Sequence, residues 1–203
     1  PAQIAQVALW LMDHQMNLQV SEEFGLYFAR IPLRASSTIV CENALRIDWN
    51  DVVPAAQLSY IMGNPPFIGH QWRTKDQADD MQAIWGSDGR FGRLDYVTCW
   101  YKKSVEMMKV SIDIHAAFVS TNSISQGEQV GIMWPDLMSD GVVINFAHRT
   151  FQWNSEGRGK AAVHCVIVGF SLVSSHNKYL FDYESLTADP HIQKVSCINP
   201  YLI

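Results

Sequence analysis

The sequence predicts an α/β domain built on a mostly parallel sheet with helices on both faces. Short apolar runs rich in β-branched residues alternate with longer segments of helical periodicity, which is the pattern of such sheets. Hydrophobic residues make up 48% of the chain, which is enough to cover both faces of a sheet. The length of 203 residues suits one domain with one core.

The first part of the chain is expected to contain one helix and two strands. Apolar residues recur at helical spacing over roughly the first 17 residues, which predicts an amphipathic helix. Residues 18–36 contain glycine and proline, and we expect them to form an irregular connector. Residues 37–41 and 60–62 are short apolar runs, and both are predicted to be strands.

The second part of the chain is expected to alternate between helices and buried strands. Residues 69–93 are polar and rich in glycine, which predicts a loop that moves, with one helical turn near residues 78–84. Residues 95–109 and 129–138 are predicted helices, the second interrupted by Pro135. Three further apolar runs are predicted strands: residues 115–120, 142–146 and 161–170.

Composition and charge argue against several classes of protein. No apolar stretch is long enough to span a membrane. The four cysteines form no CxxC pair, so we expect no metal site, no disulfide framework and a reducing, cytoplasmic setting. A net charge of -5 argues against a broad electrostatic grip on nucleic acid, although Arg73 and Lys75 form a local basic edge.

The run Gly63-Asn64-Pro65-Pro66-Phe67 follows a predicted strand directly, at the end where ligands bind in open α/β sheets. The Asn64 side-chain oxygen and the Pro65 carbonyl are two hydrogen-bond acceptors on a backbone that consecutive prolines make rigid. Two such acceptors suit an amine whose lone pair must be turned toward an electrophile. Phe67 offers a flat aromatic face to a base. In an arbitrary protein the same four residues are more often only a turn.

The Asn-Pro-Pro-Phe run resembles the fourth motif of amino-methyltransferases, which act on adenine N6, cytosine N4 or glutamine side chains. Longer runs, among them IAQVALWLMDHQMN, YIMGNPPF, LDYVTCWY and KAAVHCVIVGFS, resemble the methyltransferase region of large single-chain restriction-modification proteins that methylate adenine. The resemblance covers nearly the whole chain. It implies a Rossmann-like class I methyltransferase fold, S-adenosylmethionine as methyl donor, and adenine flipped out of double-stranded DNA as substrate.

The same resemblance assigns cofactor contacts to two pairs of residues. Asn43 and Ala44 match the place where such enzymes contact the adenine of the cofactor, and Asp95 and Tyr96 lie in the segment that borders the cofactor. Each pair has a structural alternative. Asn43 can close a turn through its side chain, and Asp95 can act only as a favourable charge near a helix start.

Catalytic and base-stacking roles are assigned on the same ground. The catalytic motif consists of Asn64, Pro65, Pro66 and Phe67. Three aromatic side chains are candidates for stacking on the target base: Phe67, Phe151 and the rival of Phe151, Trp153. Phe151 and Trp153 can instead anchor a loop on the core. Thr121-Asn122-Ser123 follows a strand end, where a turn is the favoured interpretation.

Several parts of the family pattern are not found between residues 1 and 203. The glycine-rich cofactor loop and the acidic residue that binds the cofactor ribose are expected before Pro1, inside a longer protein. Gly157-Arg158-Gly159 is no substitute, because it precedes a strand and lacks a third glycine. The target-recognition domain is expected after Ile203. The chain is therefore predicted to be the catalytic-side part of a methyltransferase domain that alone binds S-adenosylmethionine weakly or not at all.

Two alternatives to adenine methylation remain open. The motif is also compatible with methylation of cytosine N4 or of a glutamine amide. A methyltransferase-like module that binds DNA or a partner protein without methyl transfer is the non-enzymatic alternative. The sequence does not constrain the oligomeric state, the recognition sequence or an accompanying nuclease activity, and missing central strands would leave exposed sheet edges.

Overall fold

The computed structural model describes residues 2–25, 38–153, 163–185 and 188–203. The chain divides into two compact units, Pro1–Val53 and Pro54–Ile203, which are described separately. The single domain predicted for residues 1–203 stays a prediction. Within the described ranges, no helix is both long and apolar enough to cross a membrane.

The first unit consists mainly of helix α1, Ala2–Phe24, which is longer than predicted and buries none of its residues. Apolar side chains such as Ile4 and Leu11 are exposed, at 76% and 55%, so the predicted amphipathic face covers no core within this unit. Residues 18–24, expected in a connector, belong to the helix. Residues 26–36 lie outside the described part of the chain.

Residues 38–53, the other described part of the first unit, form turns and one short helix. Residues 38–41 lie outside any strand, which contradicts the strand predicted at 37–41, and residue 37 is not described. A short β-branched run forms a strand only where a neighbouring strand accepts its hydrogen bonds. Helix α2, Trp49–Val52, begins after Asp48, whose side chain accepts the Asn50 N–H at 2.8 Å.

The second unit is built on a six-stranded sheet with the order β1-β2-β4-β3-β5-β6. Its strands are β1 Tyr60–Gly63, β2 His115–Thr121, β3 Val143–Trp153, β4 Val163–Ser171, β5 Lys178–Asp182 and β6 His191–Val195. Strand β4 runs antiparallel to both neighbours, and β6 runs antiparallel to β5. The sheet is therefore mixed rather than mostly parallel, because only the pairs β1/β2 and β3/β5 are parallel among the described strands.

The predicted strands at 60–62, 115–120 and 142–146 are present, and β3 continues seven residues beyond the predicted end at Phe146, to Trp153. The strand predicted at 161–170 is β4, although residues 161 and 162 are not described. Strands β5 and β6 were missed. All five residues of β6 are exposed or half-buried, so an outer strand of this kind lacks the apolar run by which buried strands are found.

Three helices accompany the sheet: α3 Lys75–Trp85, α4 Thr98–Val110 and α5 Glu128–Ser139. The loop predicted at 69–93 is wrong over α3, an 11-residue helix that begins in a capping box between Thr74 and Gln77. Its composition is polar, but Asp80, Met81 and Trp85 are buried. The interruption predicted at Pro135 is also wrong, since α5 continues through it.

The core of the second unit is a cluster of aromatic side chains between the sheet and helices α4 and α5. The Tyr101 ring stacks on Phe170, with centroids 5.0 Å apart, and its hydroxyl lies 2.9 Å from the Ser120 hydroxyl. The Trp134 indole N–H donates to the Ile124 carbonyl at 2.7 Å. Every buried polar tip in this cluster therefore has a partner, and the sheet is fixed against both helices.

Gly169 in β4 provides a test of this packing, because the Phe146 ring lies directly over it. A Cβ atom at Gly169 would lie 2.0 Å from the Phe146 ring, so Gly169→Ala should lower stability by about 2 kcal/mol or more. Gly131→Ala in α5 is the matched control, since that Cβ would meet nothing within 4 Å. The control should be neutral or stabilising. Equal thermal midpoints for the two variants would contradict this packing.

Candidate functional site

The carboxyl ends of strands β1, β2 and β3 meet at one edge of the sheet. Gly63 in β1 pairs with Phe118 in β2, and further along β2 Thr121 pairs with Cys165, which pairs in turn with Phe151 in β3. At the usual strand spacing, β1 and β3 lie roughly 15 Å apart. This edge therefore carries the Asn-Pro-Pro-Phe loop at one side and Phe151 at the other.

The Asn-Pro-Pro-Phe loop follows β1 directly, as predicted. Asn64 and Pro66 are exposed, Pro65 is buried and Phe67 is half-buried. Strand β1 itself is an exposed outer strand and not a buried one, with the Met62 side chain 77% exposed. The loop thus presents the Asn64 side chain to solvent while its proline backbone is held against the domain.

Asp95 connects this loop to the rest of the site. Its buried carboxylate accepts hydrogen bonds from the Thr121 hydroxyl, at 2.8 Å, and from the Ser123 hydroxyl. The Asp95 N–H donates to the Gln129 side chain at 3.0 Å. One carboxylate therefore joins the end of β2 to the segment before α4, and the backbone of the same residue is joined to α5.

The neighbouring residue, Tyr96, completes this connection. Its backbone N–H donates to the Ile68 carbonyl at 2.9 Å, which holds the far end of the Asn-Pro-Pro-Phe loop. Its buried hydroxyl donates to the Asp80 carboxylate in α3 at 2.6 Å. Nearby, burial and the charge of Asp80 raise the pKa of the Cys99 thiol to about 12, so this thiol is not a nucleophile at neutral pH.

Four residues of this network were not assigned roles from the sequence. Thr121-Asn122-Ser123 was expected to form a turn, and the chain does form a 3₁₀ turn there, but the two hydroxyls also bind Asp95. The sequence signal that could have identified Thr121 and Ser123 was their position directly after the end of a predicted strand. Nothing in the local pattern indicated Asp80 or Gln129, since their partners lie 16 and 34 residues away.

Asn43 and Ala44 lie in the first unit, where both take part in a turn. The Asn43 side-chain oxygen accepts the Leu45 N–H at 3.0 Å, and the Asn43 carbonyl accepts the Arg46 N–H at 2.9 Å. The Ala44 carbonyl accepts the Trp49 indole N–H at 2.7 Å. The structural alternative for Asn43 is therefore present, and its contact with a cofactor stays a prediction.

Phe151 lies in a cluster of rings at the end of β3. Its ring lies 5.4 Å from that of Tyr183 and 6.4 Å from that of His148. The His148 ring stacks on Phe181 at 4.1 Å, and its Nδ1 lies 2.8 Å from the Tyr183 hydroxyl. Phe151 is half-buried and partly anchored, while the side chain of its rival Trp153 lies outside the described residues.

No group of three or more metal-binding side chains is found within residues 2–25, 38–153, 163–185 and 188–203. The glycine pair at 157 and 159 lies outside these ranges.

The model of the MmeI DNA-methyltransferase domain family matches residues 1–182. This chain belongs to that family. DNA methyltransferase A of Bacillus subtilis (strain 168) is 38% identical over 203 residues, which cover 98% of this chain and 22% of that protein. The structure of the type IIL restriction-modification enzyme MmeI in complex with DNA is similar with a TM-score of 0.91, at 53% identity.

The comparison with MmeI covers 100% of this chain and 27% of the MmeI chain. The predicted fold class is confirmed: the mixed α/β sheet is that of a Rossmann-like methyltransferase domain. The chain spans about a quarter of the length of each of these two relatives.

The ring cluster around His148 predicts a dependence of stability on pH. Burial lowers the pKa of His148, so the folded state disfavours the protonated ring. Stability should therefore fall as pH decreases below the ordinary histidine pKa of about 6.5. His148→Phe should reduce this loss between pH 8 and pH 5.5, measured by thermal unfolding. His164→Phe, at an exposed position in β4, is the control and should leave the pH dependence unchanged.

Proposed function

We propose that the protein containing this domain transfers a methyl group from S-adenosylmethionine to N6 of an adenine flipped out of double-stranded DNA. One observation carries the proposal: an exposed Asn64 stands on a rigid two-proline loop at the carboxyl end of β1, in a domain of a DNA-methyltransferase family. The position beyond a strand end is where α/β sheets bind ligands.

The chemistry requires the domain to activate a weak nucleophile. The lone pair of an adenine amine is delocalised into the ring, so the nitrogen must be made more pyramidal before it can attack. The Asn64 side-chain oxygen and the Pro65 carbonyl each accept one N–H of the amine, which turns the lone pair away from both acceptors. The two prolines restrict the backbone, so little reorganisation is needed. Phe67 stacks on the flipped base.

S-adenosylmethionine, when bound, supplies the electrophilic methyl group. Asp95 and Tyr96 are proposed to border it, and the cofactor contact of Asn43 and Ala44, which lie in the first unit, stays a prediction. Hydrogen bonds within the domain already use the N–H groups of Asp95 and Tyr96 and the hydroxyl of Tyr96. Among the polar atoms of these two residues, Asp95 Oδ1 is therefore the one best able to accept a hydrogen bond from a ligand. This limited set of donors and acceptors agrees with the proposal that residues 1–203 alone bind the cofactor weakly.

We also propose a cellular role for the intact protein. The intact protein is expected to act on double-stranded DNA in the cytoplasm as part of a restriction-modification system. Cytosine N4 and a glutamine amide are the alternative methyl acceptors, and binding without methyl transfer is the non-enzymatic alternative.

Asn64→Ala in the intact protein should reduce methyl transfer by at least about 100-fold, because one of two acceptors for the amine is lost. DNA binding should change little, since the side chain is exposed and leaves no buried group unpaired. The measurement is mass spectrometry of nucleosides from DNA that lacked methylated adenine, which also separates adenine N6 from cytosine N4.

Asn177→Ala is the matched control, as another exposed asparagine in the same unit. It should methylate at the wild-type rate. Undiminished methylation by Asn64→Ala would remove Asn64 from the mechanism, and methylated cytosine in place of methylated adenine would replace the proposed substrate.

Residues 1–203 as an isolated chain should show no tight binding of S-adenosylmethionine in titration calorimetry, while the intact protein binds it. The physical reason is that the isolated chain has no glycine-rich loop to approach the cofactor closely. Saturable, tight binding by the isolated chain would contradict this expectation.

A further inference from the structure

A second surface lies immediately beyond the Asn-Pro-Pro-Phe loop. It consists of Trp72, Arg73 and a cleft of about 440 Å³, and we call it the Trp-Arg surface. Besides Arg73, the cleft is lined by side chains that include His70, Gln82 and Phe91. None of these residues takes part in the methyl-transfer chemistry described above.

Trp72 is 82% exposed, which is unusual for the largest and flattest apolar side chain. It ends a 3₁₀ turn, His70–Trp72, that begins three residues after Phe67. Its backbone is tied to the segment that follows the loop, because the Trp72 N–H donates to the Gly69 carbonyl at 2.9 Å. An indole fixed at its base and open to solvent offers a large stacking face.

Arg73 is half-buried at the wall of the cleft. Its Nη2 donates to the Gly92 carbonyl, which is the single hydrogen bond that it makes within the described part of the chain. Its Nε is buried and has no acceptor among the described residues. Asp95 attracts the guanidinium but forms no ion pair with it. Arg73 is thus a positioned cation, held by one hydrogen bond from its guanidinium and paired with no carboxylate among the described residues.

The neighbouring charges leave this cation available. Asp88, which also lines the cleft, forms an ion pair with Arg90 at 2.9 Å. Lys75 is exposed two residues beyond Arg73, and Asp76 follows it in the first turn of α3. Among the residues that line the cleft, Arg73 is therefore the cation without a carboxylate ion pair, although the chain as a whole carries a charge of -5.

We propose that the Trp-Arg surface binds the DNA beside the target base, with the Trp72 ring stacked on the base that flipping leaves unpaired and Arg73 bound to a backbone phosphate. An exposed aromatic ring beside a fixed guanidinium is the combination that holds unstacked nucleic acid. Flipping leaves the partner base of the target adenine unpaired in the duplex, and the Trp-Arg surface lies next to the loop proposed to receive the flipped adenine. The inference rests on the proposed function for its choice of DNA as partner.

The Arg73 half of the proposal is tested by the salt dependence of binding. The intact protein is titrated against a fluorescent 40-base-pair duplex of random sequence between about 50 and 200 mM salt. Arg73→Gln, which keeps donors but not the charge, should weaken binding about tenfold and reduce the salt slope by about 0.9. Arg73→Lys should keep the slope. Lys194→Ala, on strand β6, removes one exposed charge from the same unit and should change neither quantity.

The Trp72 half is tested with a duplex that contains a two-nucleotide mismatch. The wild-type protein should bind this duplex more tightly than the fully paired one. Trp72→Phe keeps a flat ring and should retain the preference, whereas Trp72→Leu keeps apolar bulk and should lose it, with binding to the mismatched duplex weakened about tenfold. Tyr201→Leu, at another exposed aromatic, should retain the preference.

These measurements are independent of methyl transfer, so they separate this inference from the proposed function. Weaker DNA binding by the Arg73 and Trp72 variants supports the inference even if the methylated product is not N6-methyladenine. Unchanged affinity, salt slope and mismatch preference in Arg73→Gln and Trp72→Leu would overturn it. Equal binding of both duplexes by the wild-type protein would overturn the stacking of Trp72.

Discussion

The site depends on one buried carboxylate and the backbone beside it. Asp95 accepts two hydroxyl hydrogen bonds at the end of β2, and Tyr96 holds the Ile68 carbonyl at the far end of the Asn-Pro-Pro-Phe loop. Desolvating a carboxylate is costly unless its lone pairs are satisfied, so these bonds are mutually dependent. The Asn-Pro-Pro-Phe loop, which follows the exposed strand β1, is thereby held at its far end.

The sequence predicted those elements whose pattern is local. The short apolar runs of β1, β2 and β4 and the apolar face of α4 were found, because each pattern is complete within about ten residues. Only one turn of helix α3, near residues 78–84, was predicted, because its 11 residues are mostly polar and its few buried ones include Asp80, whose partner is a tyrosine hydroxyl 16 residues away. The antiparallel direction of strands β4 and β6 was not predicted, because strand direction is set by pairing between strands and not by composition.

The candidate site was predictable in part. Asn64, Pro65, Pro66 and Phe67 were identified by type and spacing, and the structure places them at a strand end. Asp95 was identified as a residue of interest, but its hydrogen bonds to Thr121, Ser123 and Gln129 were not, because hydroxyl and amide partners are too common in sequences to stand out. The exposure of Trp72 could not be read from its neighbours at all.

The outer position of β1 has a practical consequence for anyone who produces this domain. Among the described strands it pairs with β2 alone, and it presents bare backbone donors and acceptors beside the apolar side chains of Tyr60 and Met62. A sheet edge of this kind can form backbone hydrogen bonds with a strand of another molecule. The isolated domain should therefore be kept at low protein concentration, or produced as a fusion to a solubilising protein, if monodisperse material is wanted.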